Sequence, residues 1–221
     1  RAEDTMAEAG RKALLPDFLA MLAHEAGSRT GEDIEDVHDM RVATRRMRSA
    51  LQLLSEYFKP KPIREYSMSL RKIAGALGTV RDLDVLILDL EKFQATLDED
   101  GKSSIQGVIE RLNGERDYAR HQLTRLFDKG MYRRFVEDYG KFLITTGAGA
   151  KTIDADDLSP SQLRHLLPIL IYEHLGTVRA YDSRIADADA EMLHALRIEF
   201  KRLRYLVSLF SSVMGSSIKD F

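Results

Sequence analysis

Two distant segments of this 221-residue chain carry the same spacing of basic residues. Segments 37–48 and 193–204 both follow the pattern H-x-x-R-x-x-x-[RK]-R-x-R, and they lie 156 residues apart. The basic positions recur at intervals of three and four residues, which is the spacing of one face of an α-helix. The repeated pattern therefore predicts two helices with similar surfaces, and it restricts the fold to one that can hold both.

An apolar face accompanies the basic residues in each segment. At about 100° per residue, the basic side chains fall within an arc of about 80° beside that face. The first stripe comprises His38, Arg41, Arg45 and Arg48, and the second stripe comprises His194, Arg197, Lys201 and Arg204. The apolar face beside the first stripe is predicted to contain Val37, Met40, Thr44, Met47, Leu51, Leu54 and Phe58. The matching positions beside the second stripe are Leu193, Leu196, Phe200, Leu203, Val207 and Phe210. This match indicates an internal repeat.

The rest of the chain is also typical of helices. Apolar residues recur at helical spacing, Pro and Gly are few, and no segment alternates as a β-strand does. We predict an all-α protein of antiparallel helices with short connections. The predicted helices cover about 11–26, 33–58, 63–77, 82–97, 104–128, 131–146, 160–181 and a segment that begins after Asp189. Gly75 and Gly78 predict the break after residue 77. Ser159 and Gln162 resemble a capping box at the start near residue 160.

The repeat predicts two similar helical bundles related by a pseudo-two-fold axis. We interpret 1–221 as one domain, with a first half over 1–146, a linker over 147–159 and a second half over 160–221. At the repeat offset Phe221 corresponds to Glu65, so a counterpart of the helix that carries Arg71 does not follow. We therefore expect the second half to be truncated.

The stripes are notable because the chain as a whole has a net charge of only −2. Like charges one helical turn apart, about 5–6 Å, repel one another unless anions lie nearby. Acidic side chains of another helix, with Asp82 and Asp84 as candidates, would neutralise the stripes and make them structural. An external polyanion would do the same, and two stripes in a charge-balanced chain favour this second interpretation.

Further arginines are candidates for the same surface. Arg116 falls on the apolar face of its predicted helix and Arg120 falls at the edge of that face. Each of them needs an anionic partner or a wet cavity, because an unpaired buried charge is costly. Arg71 and Arg81 lie near the predicted helix break and add to the candidate binding residues.

Several other kinds of chemistry find no support in the sequence. The chain has no Cys, no G-x-S-x-G motif, and no H-x-x-x-H or carboxylate-rich metal cluster, so we expect no catalytic residue, metal site or cofactor. The stripes lack interleaved aromatic residues, which disfavours nucleic acid as a partner. No apolar run reaches the roughly 18 residues of a membrane span, so we expect a cytoplasmic protein with no membrane partner. Regularly spaced arginines with a titratable histidine suit linear phosphate.

The two stripes resemble the helices of the CHAD family, the histidine-bearing α-helical domain. G78-T-V-R-D-L-D84 and L203-R-Y-L206 are similar to further motifs of that family. The resemblance implies two similar helical halves with a basic central channel that binds inorganic polyphosphate. It also implies a triphosphatase domain of the triphosphate-tunnel type, or polyphosphate granules, as partners. The binding residues that it implies are His38, Arg41, Arg45, Arg48, Arg71, Arg81, His194, Arg197, Lys201 and Arg204.

We therefore expect a non-catalytic module that binds polyphosphate or similar linear polyanions. Two alternatives remain open at this point. His38 or His194 would accept a phosphoryl group in a histidine phosphotransfer or polyphosphate-processing enzyme. In the other alternative, the stripes form internal salt bridges of a structural helical protein.

Overall fold

The computed structural model describes residues 1–154 and 156–214. These residues form helices and connecting turns with no β-strand among them, as the sequence predicts. The α-helices are α1 (Met6–Ala23), α2 (Glu25–Thr30), α3 (Ile34–Leu53), α4 (Pro60–Gln94), α5 (Glu99–Asp128), α6 (Gly130–Ile144), α7 (Leu163–Arg179), α8 (Ala190–Leu209) and α9 (Ser211–Met214). Short 3₁₀ helices occupy Ser55–Tyr57 and Asp182–Asp187. A search of these described ranges finds no helix that is long and apolar enough to cross a membrane.

The chain forms two compact units that are interleaved along the sequence. The first unit contains Arg1–Leu15, Arg46–Glu65 and the described residues from Lys141 onwards. The second unit contains Pro16–Arg45 and Tyr66–Gly140. These units are defined by spatial proximity, whereas the halves over 1–146 and 160–221 are defined by a sequence repeat. The two halves, the linker over 147–159 and the pseudo-two-fold axis therefore stay predictions.

The apolar face predicted for α3 is buried along its whole length. The fully buried residues are Val37, Met40, Thr44, Met47 and Leu51 within α3, together with Leu54 and Phe58 just after its end. Thr44 is tolerated there because its hydroxyl donates a hydrogen bond to the Met40 carbonyl oxygen at 2.7 Å. In the first unit, the rings of Phe58 and Phe142 pack with centroids 5.6 Å apart. Gly10 approaches Leu54 so closely that a Cβ atom at position 10 would collide with it.

Aromatic rings form the centre of the second unit. The Tyr139 ring of α6 lies 5.4 Å from Phe18 of α1 and 4.9 Å from Tyr66 of α4, measured between centroids. Phe135 stacks on the same ring at 5.3 Å. These contacts hold α1, α4 and α6 together, since aromatic pairs at such distances are favourable beyond their burial alone.

The apolar face predicted for α8 is buried only in part. The members that are buried or half-buried are Leu196, Leu203, Val207 and Phe210. Leu193 is 47% exposed and Phe200 is 53% exposed, so this apolar face is covered only in part, unlike that of α3. The difference arises because α8 packs against α7 in the first unit. The side of α8 that carries Leu193 and Phe200 is not covered by other described residues and is exposed to solvent.

The predicted helix break at Gly75 and Gly78 is wrong, because α4 runs without interruption from Pro60 to Gln94. Each Gly in a helix interior costs about 1 kcal/mol relative to Ala. The buried side chains on either side of the two glycines offset this cost through packing. They are Leu70, Ile73, Leu77 and Val80.

The predicted capping box at Ser159 is also wrong, because α7 begins at Leu163. The preceding residues pair instead with the start of the chain. The Met6 amide donates to the Ser161 carbonyl oxygen at 2.9 Å, and the Leu163 amide donates to the Asp4 carbonyl oxygen at 2.8 Å. These long-range hydrogen bonds hold the segment extended.

The start predicted for α8 is confirmed, since the Asp189 side chain accepts a hydrogen bond from the Met192 amide at 2.8 Å.

The burial of α3 leads to a prediction about stability. Leu51→Ala should lower the free energy of unfolding by about 2–5 kcal/mol, because it leaves a cavity in a fully buried site. Arg45→Ala, on the exposed side of the same helix, should change it by less than about 0.5 kcal/mol. Urea unfolding followed by circular dichroism measures both values. If both substitutions lowered the free energy of unfolding equally, the assignment of Leu51 to the buried side and Arg45 to the exposed side would be contradicted.

Candidate functional site

The first stripe lies beside the buried face of α3. His38 and Arg48 are half-buried, Arg45 is exposed, and the Arg41 side chain is 38% exposed. Arg48 belongs to the first unit, and the other three residues belong to the second. Because the apolar face fixes the rotation of α3, these basic side chains leave the helix at the margin of the core. Their role in binding stays a prediction.

Within the second unit, α4 runs beside the first stripe. Gly78 lies next to Arg41, and the Cβ atom that Gly78 lacks would stand 3.8 Å from Arg41 Nε. One turn further along α4, Asp82 Oδ1 lies 4.0 Å from Arg41 Nη2. The Asp82 side chain is 76% exposed, so this ion pair is in water and contributes little to stability. Arg71 is exposed on the same helix.

Arg81 connects α4 to the beginning of α3. Its Nη1 atom donates hydrogen bonds to the Ile34 carbonyl oxygen at 3.2 Å and to Glu35 Oε1 at 3.1 Å. The side chain is only 15% exposed. Arg81 therefore has a structural role in the second unit, in addition to the binding role that the sequence predicts for it.

A buried acid lies between α4 and α5. The Asp84 side chain is fully buried, and its Oδ1 atom lies 4.0 Å from Arg116 Nε and 3.8 Å from Arg120 Nη2. Neither carboxylate oxygen accepts a hydrogen bond from a described residue. Arg120 passes over Gly31, whose φ of 70° and missing side chain leave room for the guanidinium. Asp84 is thus the anionic partner that the position of Arg116 on an apolar face required.

The environment of Asp84 raises the pKa of its carboxyl group. Burial is the largest cause, and it outweighs the opposing attraction of Arg120, Arg116 and Arg81. The arginines stand at the outer limit of an ion pair and do not donate hydrogen bonds to the carboxylate, so they compensate only part of its lost hydration. The sequence singled out Asp82 and Asp84 together as partners of the stripes. The structure separates them, since Asp82 faces Arg41 and Asp84 faces Arg116 and Arg120.

The second stripe lies on α8 in the first unit. His194, Arg197 and Arg204 are exposed, and Lys201 is half-buried. The Arg204 guanidinium carbon lies 5.5 Å from the centroid of the Tyr205 ring. Exposed guanidinium groups keep their donors available to an anion, because no core contact holds them inward.

Lys201 lines a cavity of about 520 Å³ within the first unit. The cavity wall includes Ser49 and Gln52 of α3, Glu173 and His174 of α7, and Ile198 and Tyr205 of α8. The sequence analysis did not predict this cavity.

Among the residues that the structure describes, no group of three or more His, Asp or Glu side chains could hold a metal ion. The residues of the stripes are basic, and the carboxylates near the first stripe have basic partners: Asp82 faces Arg41, Asp84 faces Arg116 and Arg120, and Asp36 and Asp39 face His24. The arrangement is suited to binding anions.

The family model for the CHAD domain matches residues 12–221, including both stripes. The chain belongs to the CHAD family. This CHAD domain resembles the crystal structure of the CHAD domain from the plant Ricinus communis, with a TM-score of 0.74 and 23% sequence identity, over 98% of this chain and 69% of that chain. It also resembles PptA from Streptomyces chartreusis, with a TM-score of 0.65 and 12% identity, over 94% of this chain and 76% of that chain. A comparison with curated proteins finds no match.

These comparisons confirm the family and the all-α fold that the stripes indicated. Because the two solved structures share few identical residues with this CHAD domain, their likeness concerns the fold alone. The assignment of individual binding residues stays a prediction. The basic central channel stays a prediction as well.

The raised pKa of Asp84 leads to a prediction about pH. A protonated Asp84 is favoured in the folded state, so its stabilising contribution is present below the ordinary pKa of 3.8 and is lost as the pH rises through the raised value. Asp84→Asn keeps the shape without the charge. The loss of an anion beside Arg116 and Arg120 affects the variant at both pH values, so the stability of the variant relative to the wild type should be higher at pH 7 than at pH 4.5.

Urea unfolding at the two pH values measures this difference. The exposed Asp82 provides the control, because Asp82→Asn should change the free energy of unfolding by less than about 0.5 kcal/mol. A lower relative stability of Asp84→Asn at pH 7 than at pH 4.5 would show that attraction to Arg116 and Arg120 exceeds the cost of burial.

Proposed function

We propose that this CHAD domain binds inorganic polyphosphate or a similar linear polyanion, without catalysis, through the two basic stripes facing a central channel. The observation that carries the proposal is the exposure of the stripes. Arg45 on α3 and His194, Arg197 and Arg204 on α8 are exposed. Membership of the CHAD family supports the same function, because polyphosphate binding is the property that the family implies.

The spacing of the stripes favours a chain of phosphates over a single phosphate. Successive basic residues on one helix face lie about 5–6 Å apart, so a linear anion can contact several of them together. Each charge-assisted hydrogen bond contributes about 1.5–3 kcal/mol, and the contacts of one chain add up. Arginine also remains charged at any physiological pH and can contact two phosphate oxygens with its planar group.

The proposed function includes no chemical step. The carboxylates near the first stripe already face arginines or His24, which leaves them poorly placed to bind catalytic metal ions. The alternative with a phosphorylated histidine concerns His38, which is half-buried, and His194, which is exposed. Acid-labile phosphohistidine after incubation with polyphosphate or a phosphoryl donor would establish that alternative.

We also propose the partners and location that the family implies. Polyphosphate is the direct ligand, and a triphosphatase domain of the triphosphate-tunnel type or a polyphosphate granule is the larger partner. A cytoplasmic location fits both. Co-sedimentation of the purified protein with isolated granules, with and without added free polyphosphate, would test the granule as a partner.

The first test removes charge from both stripes. Replacement of Arg41, Arg45, Arg197 and Lys201 by Ala should lower the affinity for polyphosphate by several decades, because several charge-assisted contacts are lost together. The apolar faces remain intact, so the helical circular dichroism should be unchanged. Isothermal titration of both proteins measures the loss.

A second quadruple variant controls for net charge. It replaces four exposed basic residues outside the stripes, namely Lys92, Arg111, Arg125 and Lys151. This variant loses the same charge but should retain most of the affinity. Equal losses in the two variants would show that general charge, and not the stripes, causes the binding. Wild-type affinity in the stripe variant would make the stripes structural.

The second test concerns the length of the ligand and the salt concentration. Long polyphosphate should bind much more tightly than orthophosphate, and its affinity should fall steeply with salt, because several contacts release counterions together. Titrations with orthophosphate, short and long polyphosphate at several salt concentrations measure both effects. A single-stranded oligonucleotide of equal charge provides the comparison. Equal affinity for the oligonucleotide and for polyphosphate would show that binding is not specific for phosphate chains.

A further inference from the structure

Asp82 places a negative charge beside a basic residue of the first stripe. Its Oδ1 atom lies 4.0 Å from Nη2 of Arg41, and both residues belong to the second unit. The two side chains are 76% and 38% exposed, respectively. An ion pair of this kind is weak and can be opened by a competing anion at little cost.

The surface of α4 guides Arg41 towards this acid. Gly78 precedes Asp82 by one helical turn, and the Cβ atom that it lacks would stand 3.8 Å from Arg41 Nε. The Arg41 side chain therefore lies along a part of α4 that has no side chain, with its terminal nitrogen directed to the carboxylate. At this distance a Cβ atom would make an ordinary van der Waals contact with Arg41, so Gly78 leaves the approach open without being required for it.

The other nearby acids have different partners. Glu35 Oε1 accepts a hydrogen bond from Arg81 at 3.1 Å, and the buried Asp84 lies between Arg116 and Arg120. On α3 itself, Asp36 and Asp39 lie 2.8 Å and 3.8 Å from the ring nitrogens of His24. Asp82 is therefore the acid that a ligand at Arg41 would meet. A phosphate group bound to Arg41 would lie within the Debye length of the Asp82 carboxylate, about 10 Å at 0.1 M salt, and the two would repel each other.

We propose that Asp82 is a specificity residue of the polyphosphate site proposed above, on which this inference rests. In the free protein its carboxylate holds Arg41, and a phosphate group displaces it when a chain binds. A small anion of low charge gains too little from Arg41 alone to displace the carboxylate. A polyphosphate chain also contacts neighbouring basic residues with which Asp82 does not compete, so competition at Arg41 lowers its affinity by a smaller factor. The acid thus discriminates against single anions.

The test compares two substitutions that remove one negative charge from α4. Asp82→Asn should raise the affinity for long polyphosphate by about three- to fivefold, which corresponds to the loss of one exposed ion pair. Asp89→Asn is the matched control, because Asp89 is 67% exposed and pairs with Lys92 on its own helix. It should change the affinity by less than about 1.5-fold, since salt screens distant exposed charges. Asp82→Asn should strengthen orthophosphate binding by a larger factor than polyphosphate binding, and equal factors would show that Asp82 does not determine specificity.

A double-mutant cycle shows whether Asp82 acts through Arg41. Arg41→Gln should weaken binding, and in that background Asp82→Asn should have no larger effect than Asp89→Asn. Isothermal titration measures each affinity, and circular dichroism checks that each variant is folded. A gain that persists without Arg41, or equal effects of Asp82→Asn and Asp89→Asn, would overturn the inference while the wild type still binds polyphosphate. If the wild type does not bind polyphosphate, the proposed function fails and the inference fails with it.

Discussion

The burial of one face of α3 is the constraint on which the rest of the structure depends. From Val37 to Phe58 every predicted member of that face is removed from solvent, and this fixes the rotation of the helix. An arginine next to such a face can keep its aliphatic stem on the protein and its charged group in water. The same packing that stabilises the fold therefore sets where the cations leave it. A small rotation of α3 would bury charge and expose core residues together.

The two acids of the segment from Arg81 to Asp84 show how strongly the environment decides what a carboxylate does. Asp82 is open to water, so its attraction to Arg41 is weak and exchangeable. Two residues later Asp84 is removed from water, and the cost of its charge appears in its raised pKa. Residues two apart on a helix point to nearly opposite sides, so two identical side chains acquire a surface role and an internal role.

The sequence predicted the features that repeat with the helical period. The buried face of α3, the all-α fold and the Asp189 cap depend on neighbours along one helix, and all three are confirmed. It failed where distant residues decide the outcome. The glycines of α4 are held helical by the packing around them, and the start of α7 is set by pairing with residues near the start of the chain. The ion pairs of Arg81 with Glu35 and of Arg116 with Asp84 also depend on tertiary contacts. The spacing of residues in the sequence therefore indicated the arginines but did not predict which acid each one contacts.

The pairing of the start of the chain with the segment before α7 also affects the order of folding. All residues of the second unit precede Lys141, whereas the first unit needs residues near both ends of the described chain. A ribosome makes the chain from its amino end, so the second unit can become compact while the first still lacks α7 and α8. The long separation between the paired segments makes their closure a slow step compared with local helix formation. Until the later residues of the first unit are synthesised, one part of the apolar face of α3 would be covered and the other part would not yet have its packing partners.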